Sequence, residues 1–339
     1  MRKVRVLALV HDHLVPPDDI TGIDVLEAEW KMEYDVIETL REIGHDVRVL
    51  GTHDDLSGIR LAADEFKPHI VFNLMEAFAG VTTFDQNVVS YLELLRLRYT
   101  GCNPRGLILA RDKALSKKLL AYHRIAVPDF TVVRYGRKPV LPKKMHFPLI
   151  VKSLFFEASA GISQASVVEN AEQLARRVQF IHESLGTAAI VEQFIDGREL
   201  YVGVLGNERL EVLPVWEMSF AKMPDNRWRI ATERVKWSTR YQKANGIMTD
   251  AAQLDAAATA HIQRMAKRAY RALDLNGYAR IDLRLDDNGR AYILEANPNP
   301  NLAYGEDFAE SAEVDGMSYE RLLERIIGLG LRWEPERTG

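Results

Sequence analysis

Two acidic residues, Asp282 and Glu295, are the clearest candidates for a chemical role in the sequence, because the segment between them predicts a β-hairpin. Asn288-Gly289 separates two runs of alternating polar and apolar residues, a pattern typical of a β-hairpin with a two-residue turn. Pairing the residues that flank such a turn places Asp282 directly opposite Glu295 on one face. Opposed carboxylates on a sheet repel one another, so we expect a cation between them.

The register of this predicted hairpin also sorts its other residues between two faces. Arg280 faces Asn297 beside the two acids, whereas Leu283 faces Leu294 on the apolar face. Carboxylate oxygens suit Mg²⁺, which binds proteins through one or two carboxylates together with substrate phosphates and water. The alternative is a solvated polar face on which Arg280 screens the acids. That alternative leaves unexplained the Glu-Ala-Asn-Pro-Asn-Pro run that ends at Pro300.

Two lysines stand where an anion could bind. Lys113 follows Asp112 at the predicted start of a helix, where a cation opposes the positive end of the helix dipole. A bound phosphate would remove this conflict, although a surface lysine in a Lys-rich helix is an equally good interpretation. Lys152 ends the apolar run that begins at Pro148, so it reaches the crevice beyond a buried strand. The loop at 153–163 is rich in small residues and could close over phosphates or serve as an ordinary connection.

A further polar segment has an acid, Glu192 or Glu199, on each side of an Asp196-Gly197 turn. Carboxylates accept hydrogen bonds from an adenine amino group or from ribose hydroxyls, while Phe194 and Ile195 offer apolar surface to a base. The segment is explained equally well as a surface turn between strands.

The predicted strand ends near the amino terminus carry His11-Asp12-His13 and Glu76. We expect no shared metal ion at the two histidines, because alternate residues of an extended chain point to opposite sides. Recognition of a substrate, for instance through its amino group, is the better interpretation for Asp12 or Glu76.

The elements that must position these residues alternate in type over the first hundred residues. Strand-like runs lie at 4–10, 47–50 and 69–74, and helix-like runs lie at 24–43 and 86–97. Strands separated by helices predict a parallel sheet, and ligands of such sheets bind beyond the carboxyl ends of the strands. Those ends carry the histidine segment and Glu76.

Composition narrows the class of protein. A chain of 339 residues is long enough for two or three packed units, since single cores stop growing near roughly 250–300 residues. A net charge of −4 argues against nucleic acid or an anionic membrane as a partner. Cys102 is the only cysteine, which excludes an intrachain disulfide and a cysteine-based zinc site. The single cysteine is typical of a reducing cytoplasm, where we expect the protein to be located. No apolar run approaches the roughly 18 residues of a membrane helix, so we also expect a soluble protein.

Taken in order, these segments resemble the ATP-grasp superfamily, and most closely its D-alanine–D-alanine ligase-like branch. The resemblance runs from Tyr99 to about Leu302, with a looser likeness before it. It rests on five segments in the family's order: Arg111-Asp-Lys113, Pro148-Leu-Ile-Val-Lys152, Val191-Glu-Gln-Phe-Ile-Asp-Gly-Arg-Glu199, Arg280-Ile-Asp282 and Leu294-Glu-Ala-Asn297.

The resemblance implies an α/β (α+β) ATP-grasp fold with the nucleotide held between two α+β subdomains. We expect an N-terminal Rossmann-like parallel-sheet domain at 1–104 and a central subdomain with the lid loop at 105–190. The C-terminal subdomain at 191–339 would then contain the metal site. Because homodimers are common among the relatives, a homodimer is also expected.

The resemblance also assigns roles to single residues. ATP would be held by Lys113, Lys152, Ser159 of the lid, Glu192, Gln193, Phe194, Ile195, Glu199 and, from a looser match, Lys236. Magnesium ions, or Mn²⁺ in their place, would be held by Asp282, Glu295 and Asn297. Arg280 would hold the acyl phosphate and offset the negative charge of the tetrahedral intermediate that follows it.

The implied activity is ATP-dependent ligation of a small-molecule carboxylate to a small-molecule amine through an acyl phosphate. The sequence departs from the family at its substrate positions: Asn301 replaces a family glycine, and the segments that contain Asp12 and Glu76 lack the family's glycine-rich pattern. We therefore predict substrates such as amino acids or short peptides other than D-alanine, contacted by these three residues. Two alternatives remain at this point, namely acyl-phosphate chemistry with a thiol acceptor or in carboxylation, and a nucleotide-binding regulator without turnover.

Overall fold

Three β-sheets organise the computed structural model, which describes residues 3–156 and 161–335. The first sheet consists of β1 (Arg5–His11), β2 (Asp46–Thr52) and β3 (Ile70–Asn73), in the order β2-β1-β3. All its pairs are parallel, which confirms the parallel sheet expected from the alternating pattern. Its helices are α1 (Lys31–Glu42), α2 (Ser57–Phe66) and α3 (Asp85–Leu94).

Two capped helices connect the first sheet to the second. They are α4 (Pro104–Arg111) and α5 (Lys113–Tyr122). The side chain of Asp112 accepts hydrogen bonds from the backbone N–H groups of Ala114 and Leu115, both at 2.9 Å, and this N-cap fixes where α5 begins. Lys113 therefore occupies the first turn of the helix, as predicted.

The second sheet is antiparallel and has the order β4-β7-β5-β6. Its strands are β4 (Phe130–Val133), β5 (Leu149–Ser153), β6 (Val167–Val168) and β7 (Ala189–Gln193), and its helix is α6 (Ala171–Leu185). Apolar residues of this sheet and of α6 form a core of their own, which includes Val151, Val178 and Val191. The sheet is thus a separately packed unit.

The third sheet is also antiparallel, in the order β10-β9-β8-β11-β12. Its strands are β8 (Arg198–Leu205), β9 (Glu211–Phe220), β10 (Ile247–Ala251), β11 (Tyr278–Leu285) and β12 (Ala291–Pro298). The remaining helices are α7 (Glu233–Trp237), α8 (Thr239–Asn245), α9 (Ala256–Ala272), α10 (Asp307–Val314) and α11 (Tyr319–Arg332). Apolar residues of this sheet share clusters with those of the first, for example Tyr278 with Val6 and Phe72.

The proposed division of the chain into three domains stays a prediction. β7 extends to Gln193 and pairs with β4 and β5, so the second sheet continues three residues beyond the proposed boundary at 190. Ser159, predicted to contact ATP from the lid, lies outside the described residues. Among the described helices, none combines the length and the apolar character needed to cross a bilayer.

Candidate active site

The β11–β12 hairpin brings the predicted polar residues together on one face. Asp282 is paired with Glu295, and Arg280 is paired with Asn297, as the sequence predicts. Arg280 donates from Nε and Nη2 to the two oxygens of Asp282 at 2.8 and 3.0 Å. Asn297 Nδ2 also donates to Asp282, at 3.0 Å. The Asp282 side chain is 6% exposed and that of Glu295 is 29% exposed, so Glu295 is the more accessible acid.

The predicted two-residue turn is wrong, although it gives the right pairing at the acids. Leu285 pairs with Ala291, so the loop is longer, and the carboxylate of Asp286 accepts hydrogen bonds from the backbone N–H groups of Asn288 and Arg290 at 3.0 and 2.8 Å. Gly289 has a φ of +76°. The side chain of Asp286 thus stabilises a turn that the Asn-Gly signal alone does not predict.

A register shift then restores the expected pairing. Leu283 pairs with Ile293 instead of the predicted Leu294, and the register changes between Asp282 and Leu283. This irregularity adds one residue to β12 and cancels the offset introduced by the turn. The longer turn and the extra residue of β12 offset each other, and Asp282 therefore still faces Glu295.

Lysines dominate the electrostatics around Glu295. Burial alone would raise the pKa of Glu295, but Lys113, followed by Lys152, Lys236 and Lys117, outweighs it and lowers that pKa to about 2. For Asp282, burial raises the pKa and Glu295 adds to the rise, while Arg280 opposes it. Glu295 is therefore ionised at neutral pH.

Two of these lysines, Lys117 and Lys152, contact one buried acid. Glu192 lies 3.1 Å from Lys117 Nζ and 3.3 Å from Lys152 Nζ. Lys117 also donates a hydrogen bond to the carbonyl oxygen of Leu294 on β12, the strand that carries Glu295. Lys113 Nζ lies 3.7 Å from Glu295. Burial would raise the pKa of Glu192, but the two lysines that contact it lower it instead. The site thus holds several cations close together, which favours an anionic ligand.

Lys117 is a site residue that the sequence analysis missed. Its side chain is 1% exposed, so it is not a surface residue of this Lys-rich helix. A usable signal existed, because Lys117 stands four residues after Lys113 and shares its face of the helix. Lys118, one residue on, is exposed.

A cavity between the second and third sheets collects most of the predicted ATP residues. Its lining includes nine predicted site residues: Lys152, Glu192, Gln193, Phe194, Ile195, Glu199, Lys236, Asp282 and Glu295. Apolar side chains complete its walls, with Ile150 and Leu294 among them. An adenine ring needs apolar walls of this kind, with a few polar groups at its edge.

Arg284 is a second residue missed from the sequence. It donates to Glu199 Oε2 at 2.7 Å and to the carbonyl oxygens of Ile195 and Gly197, both at 3.3 Å. Tyr201 donates to the other oxygen of Glu199 at 3.1 Å. Arg284 follows Arg280 and Asp282 at intervals of two along β11, so strand periodicity could have placed it on the same face.

The predicted substrate residues lie in three different environments. Glu76 lies beyond the end of β3 and is exposed at its surface, but desolvation by the surrounding protein raises the pKa of its carboxyl, with Asp85 adding to the rise and Arg111 opposing it. Asn301 accepts a hydrogen bond from the backbone of Ala303 at 2.8 Å. Asp12 belongs instead to a histidine cluster.

The expectation that His11 and His13 point apart is wrong. β1 ends at His11, and residues Asp12–Leu14 form a short 3-10 helix, so the chain is no longer extended where the second histidine follows. The two Nδ1 atoms lie 2.6 Å apart, and Asp12 Oδ1 lies 2.7 Å from His11 Nδ1. The alternation argument fails because it holds only within a strand.

Oxygen atoms on the hairpin face fit a hard divalent cation. Asp282 and Glu295 supply carboxylate oxygens from adjacent strands. Because Asn297 uses its nitrogen as the donor to Asp282, its side-chain oxygen is the atom that it can offer to a cation. A set of two carboxylates and one amide oxygen is suited to Mg²⁺.

Comparison with known proteins connects this chain to a family. The family model described as "D-ala D-ala ligase C-terminus" matches residues 119–328. Uncharacterized protein y4sG of Sinorhizobium fredii (strain NBRC 101917 / NGR234) is 29% identical over 305 residues, which cover 88% of this chain and 86% of the relative. D-alanine–D-alanine ligase of Desulfotalea psychrophila (strain LSv54 / DSM 12343) is 31% identical over 283 residues, covering 83% of this chain and 84% of that enzyme.

Solved structures show the same fold. The crystal structure of D-alanine–D-alanine ligase from Bacillus anthracis complexed with ATP superposes with a TM-score of 0.74 and 20% identity. The superposition covers 97% of this chain and 98% of the other. The arrangement of a parallel sheet followed by two antiparallel sheets is therefore that of a known fold.

Proposed function

Because the chain belongs to the D-alanine–D-alanine ligase family of the ATP-grasp superfamily, we propose that it joins an amino acid or short peptide other than D-alanine to a second small molecule. The ATP-grasp fold expected from the sequence is confirmed, and the chain is an ATP-dependent carboxylate–amine ligase. The observation that carries the proposal is the Asp282–Glu295 pair beside a cluster of lysines.

The cavity between the second and third sheets suits ATP by the charge and the polarity of the residues that line it. Lys113, Lys117, Lys152 and Lys236 supply cations at one end, and Ile150, Phe194 and Leu294 supply apolar walls for the base. Glu199, held by Arg284 and Tyr201, offers a carboxylate to the ribose. In this arrangement Glu192 orients two of the lysines, and its predicted contact with adenine stays a prediction.

Asp282, Glu295 and Asn297 would hold Mg²⁺. When bound, the ion would neutralise charge on the phosphate oxygens. Glu295 is ionised at neutral pH because the nearby lysines lower its pKa to about 2, so it is ready to serve as a ligand. Arg280 already neutralises Asp282 and keeps that carboxylate in a fixed orientation.

The reaction then takes two steps in one site. An oxygen of the substrate carboxylate attacks the γ-phosphorus of ATP, and ADP leaves while the lysines offset the charge on the phosphates. The amine of the second substrate attacks the carbon of the acyl phosphate, and phosphate leaves as the amide forms. Arg280 lies on the polar hairpin face, where its guanidinium offsets the negative oxygen of the tetrahedral intermediate.

Acidic residues around Arg280 support a substrate that carries an additional amine. Asp307 Oδ2 lies 3.7 Å from Arg280 Nη1, and Glu306 is accessible beside it. Desolvation by the surrounding protein raises the pKa of Glu306 and Asp307 adds to the rise, whereas Lys31 and Arg280 oppose it. Carboxylates in this position disfavour an incoming carboxylate and attract an ammonium group. A homodimer and a cytoplasmic location stay predictions.

The test is the release of ADP with a panel of carboxylate and amine pairs. The panel contains D- and L-amino acids with neutral, acidic and basic side chains, and dipeptides of the same types. We expect basic acceptors to stimulate ADP release most, with an amide product identified by mass spectrometry. If D-alanine alone gives the highest kcat/KM, the proposed substrate class is wrong while the ligase activity stands.

Replacing Glu295 tests the site itself. Glu295→Gln removes a charge from the pair on β11 and β12, and we expect kcat to fall by about 10²–10³-fold, a typical effect of losing one electrostatic group. Asp287→Asn in the exposed hairpin loop is the matched control and should retain activity. Near-normal turnover in Glu295→Gln would remove this residue from the proposed site.

A further inference from the structure

A cluster of three histidines and one aspartate lies at the carboxyl end of the first sheet. β1 ends at His11, the 3-10 helix Asp12–Leu14 follows, and His53 comes directly after the end of β2. β1 and β2 are parallel neighbours, and His11 pairs with Thr52. The topology therefore brings His53 beside His11 although 42 positions separate them in sequence.

Three of these side chains direct ligand atoms at one point. His11 Nδ1, Asp12 and His13 Nδ1 each provide one atom, and these atoms all lie within 4.8 Å of one another. The distances from His11 Nδ1 to His13 Nδ1 and to Asp12 Oδ1 are 2.6 and 2.7 Å. Two imidazole nitrogens and a carboxylate oxygen in such proximity form a typical set of metal ligands.

The fourth residue fixes the ring of the most buried ligand. His53 Nδ1 lies 3.1 Å from His11 Nε2, so the nitrogen of His11 that does not face Asp12 is also engaged. Histidines that bind metals commonly use their second nitrogen in this way, because the contact sets the tautomer and the orientation of the ring.

Backbone packing supports the turn that carries the cluster. An added Cβ at Gly51 of β2 would lie 3.1 Å from Asp12 Cα and 2.6 Å from Val15 Cγ2. The 3-10 helix can therefore lie against β2 at this distance because residue 51 has no side chain. The position of the turn that carries the cluster is therefore set by its packing against the first sheet.

We propose that His11, Asp12 and His13 bind one divalent transition-metal ion, with His53 orienting His11. Imidazole nitrogen suits Zn²⁺, Co²⁺ and Ni²⁺, whereas Mg²⁺ prefers sites made of oxygen atoms. Binding requires both Nδ1 atoms as unprotonated ligands, so the ion enters as a proton leaves. The side chains of Asp12 and His13 are 55% and 60% exposed, which leaves coordination positions accessible from solvent.

This site is distinct from the proposed magnesium site in both chemistry and sequence position. Its ligands come from a single turn of the first sheet, whereas Asp282 and Glu295 lie on the third. The proposal does not depend on ligase activity, because it concerns binding alone. It also gives Asp12 a role as a metal ligand in place of the predicted contact with a substrate.

The test is titration of untagged, metal-free protein with Co²⁺ in excess Mg²⁺, followed by visible absorption. Excess Mg²⁺ occupies oxygen sites, and a change in the Co²⁺ d–d bands relative to the hydrated ion indicates nitrogen ligands. We expect one equivalent of Co²⁺ to bind, and Zn²⁺ to displace it. His13→Ala and Asp12→Asn should each weaken binding by at least about tenfold.

Two control variants make the result specific. His261→Ala removes an exposed histidine on α9, and Asp282→Asn alters the proposed magnesium site, so both should bind Co²⁺ as the wild type does. Thermal unfolding of each variant shows whether the fold is retained. Absence of a Co²⁺ spectrum in the wild type, or unchanged binding in His13→Ala, would show that the cluster is only a hydrogen-bonded network. Loss of binding in Asp282→Asn alone would assign the ion to the other site.

Discussion

Glu192 is the residue on which the charges of the proposed phosphate site depend. It is 1% exposed and contacts both Lys117 and Lys152. A buried carboxylate without a cation is strongly unfavourable, and the same holds for a buried lysine without an anion. The pair of contacts therefore holds two ammonium groups in fixed positions before a nucleotide arrives, and such preorganisation strengthens binding.

Removing Lys117 should affect both stability and ATP binding. Lys117→Gln leaves Glu192 with one cation and removes the bond to the Leu294 carbonyl. We expect a loss of about 1–3 kcal/mol in the free energy of unfolding, typical of a buried group left unsatisfied. We also expect the KM for ATP to rise when it is measured with the carboxylate and amine substrates at saturation.

Lys118→Gln provides the matched comparison for this change. It alters the neighbouring residue of the same helix, but Lys118 is exposed. Urea unfolding and the KM for ATP should both match the wild type in this variant. Equal effects of the two substitutions would mean that the local charge of the helix matters and the buried contact does not.

Single residues show how far the sequence predicts this site. Lys113 and Lys152 could be found because a helix start and a strand end are visible in the sequence. Lys117 could not be separated from Lys118 until the buried face of α5 was known. Arg284 carried a signal in its spacing from Arg280, but its partners, the carbonyl oxygens of the 195–197 turn, come from a distant part of the chain.

At the scale of elements, two turns decide whether the sequence predicts the site correctly. In the hairpin, the Asp286 side chain selects a longer turn and an irregularity in β12 corrects its register. After β1, the chain enters a 3-10 helix and brings His13 back toward His11. Both events depend on local hydrogen bonds that the alternation of polar and apolar residues does not encode.

The turn between β7 and β8 should be sensitive to any side chain at Gly197. The φ of Gly197 is +135°, and a Cβ added to this residue would lie 2.1 Å from the carbonyl oxygen of Leu285. Gly197→Ala must therefore displace the turn that Arg284 holds beside Glu199. We expect a lower melting temperature and a higher KM for ATP, with a destabilisation of about 2–4 kcal/mol from strain and displacement combined.

Gly289→Ala separates backbone strain from this close approach. Gly289 also has a positive φ, +76°, but an added Cβ would meet no atom within 4 Å. Strain alone costs about 1 kcal/mol at such a position, so this variant should lose less stability and keep its KM for ATP. Similar effects at the two glycines would argue against a role for the Gly197 contact with β11.

The whole molecule combines one separately packed sheet with two sheets that share their cores. The second sheet has its own apolar cluster with α6, whereas the first and third are joined through residues such as Val6 and Tyr278. The proposed ATP cavity lies where these two bodies meet, with Lys152 from one and Glu295 from the other. Binding at such a junction stabilises both bodies relative to each other, because the ligand contacts each of them.

Two acids, the buried Glu33 and the partly exposed Glu295, give the stability of the folded protein opposite dependences on pH. Burial raises the pKa of Glu33 to about 7 against the effect of a backbone hydrogen bond, and Glu76 adds to the rise. The lysines lower the pKa of Glu295 to about 2. At pH values between the ordinary pKa of a glutamate and 7, the folded state binds more protons at Glu33 than the unfolded state does. The free energy of unfolding therefore falls as pH rises through this range. Glu295 contributes stability that is lost only as pH falls toward 2.

Glu33→Gln should remove the loss of stability at higher pH. The free energy of unfolding would be measured with urea at about pH 4.5 and at about pH 8 for both proteins. Between these two pH values, we expect the variant to gain on the order of 2–3 kcal/mol relative to the wild type. Comparing the change between two pH values cancels any constant effect of placing an amide at this site, where Glu33 Oε1 makes no hydrogen bond within the described structure. Glu42→Gln, at an exposed position of the same helix, should show no such gain. A pH dependence that is identical in the wild type and in Glu33→Gln would mean that Glu33 ionises equally easily in the folded and unfolded chains.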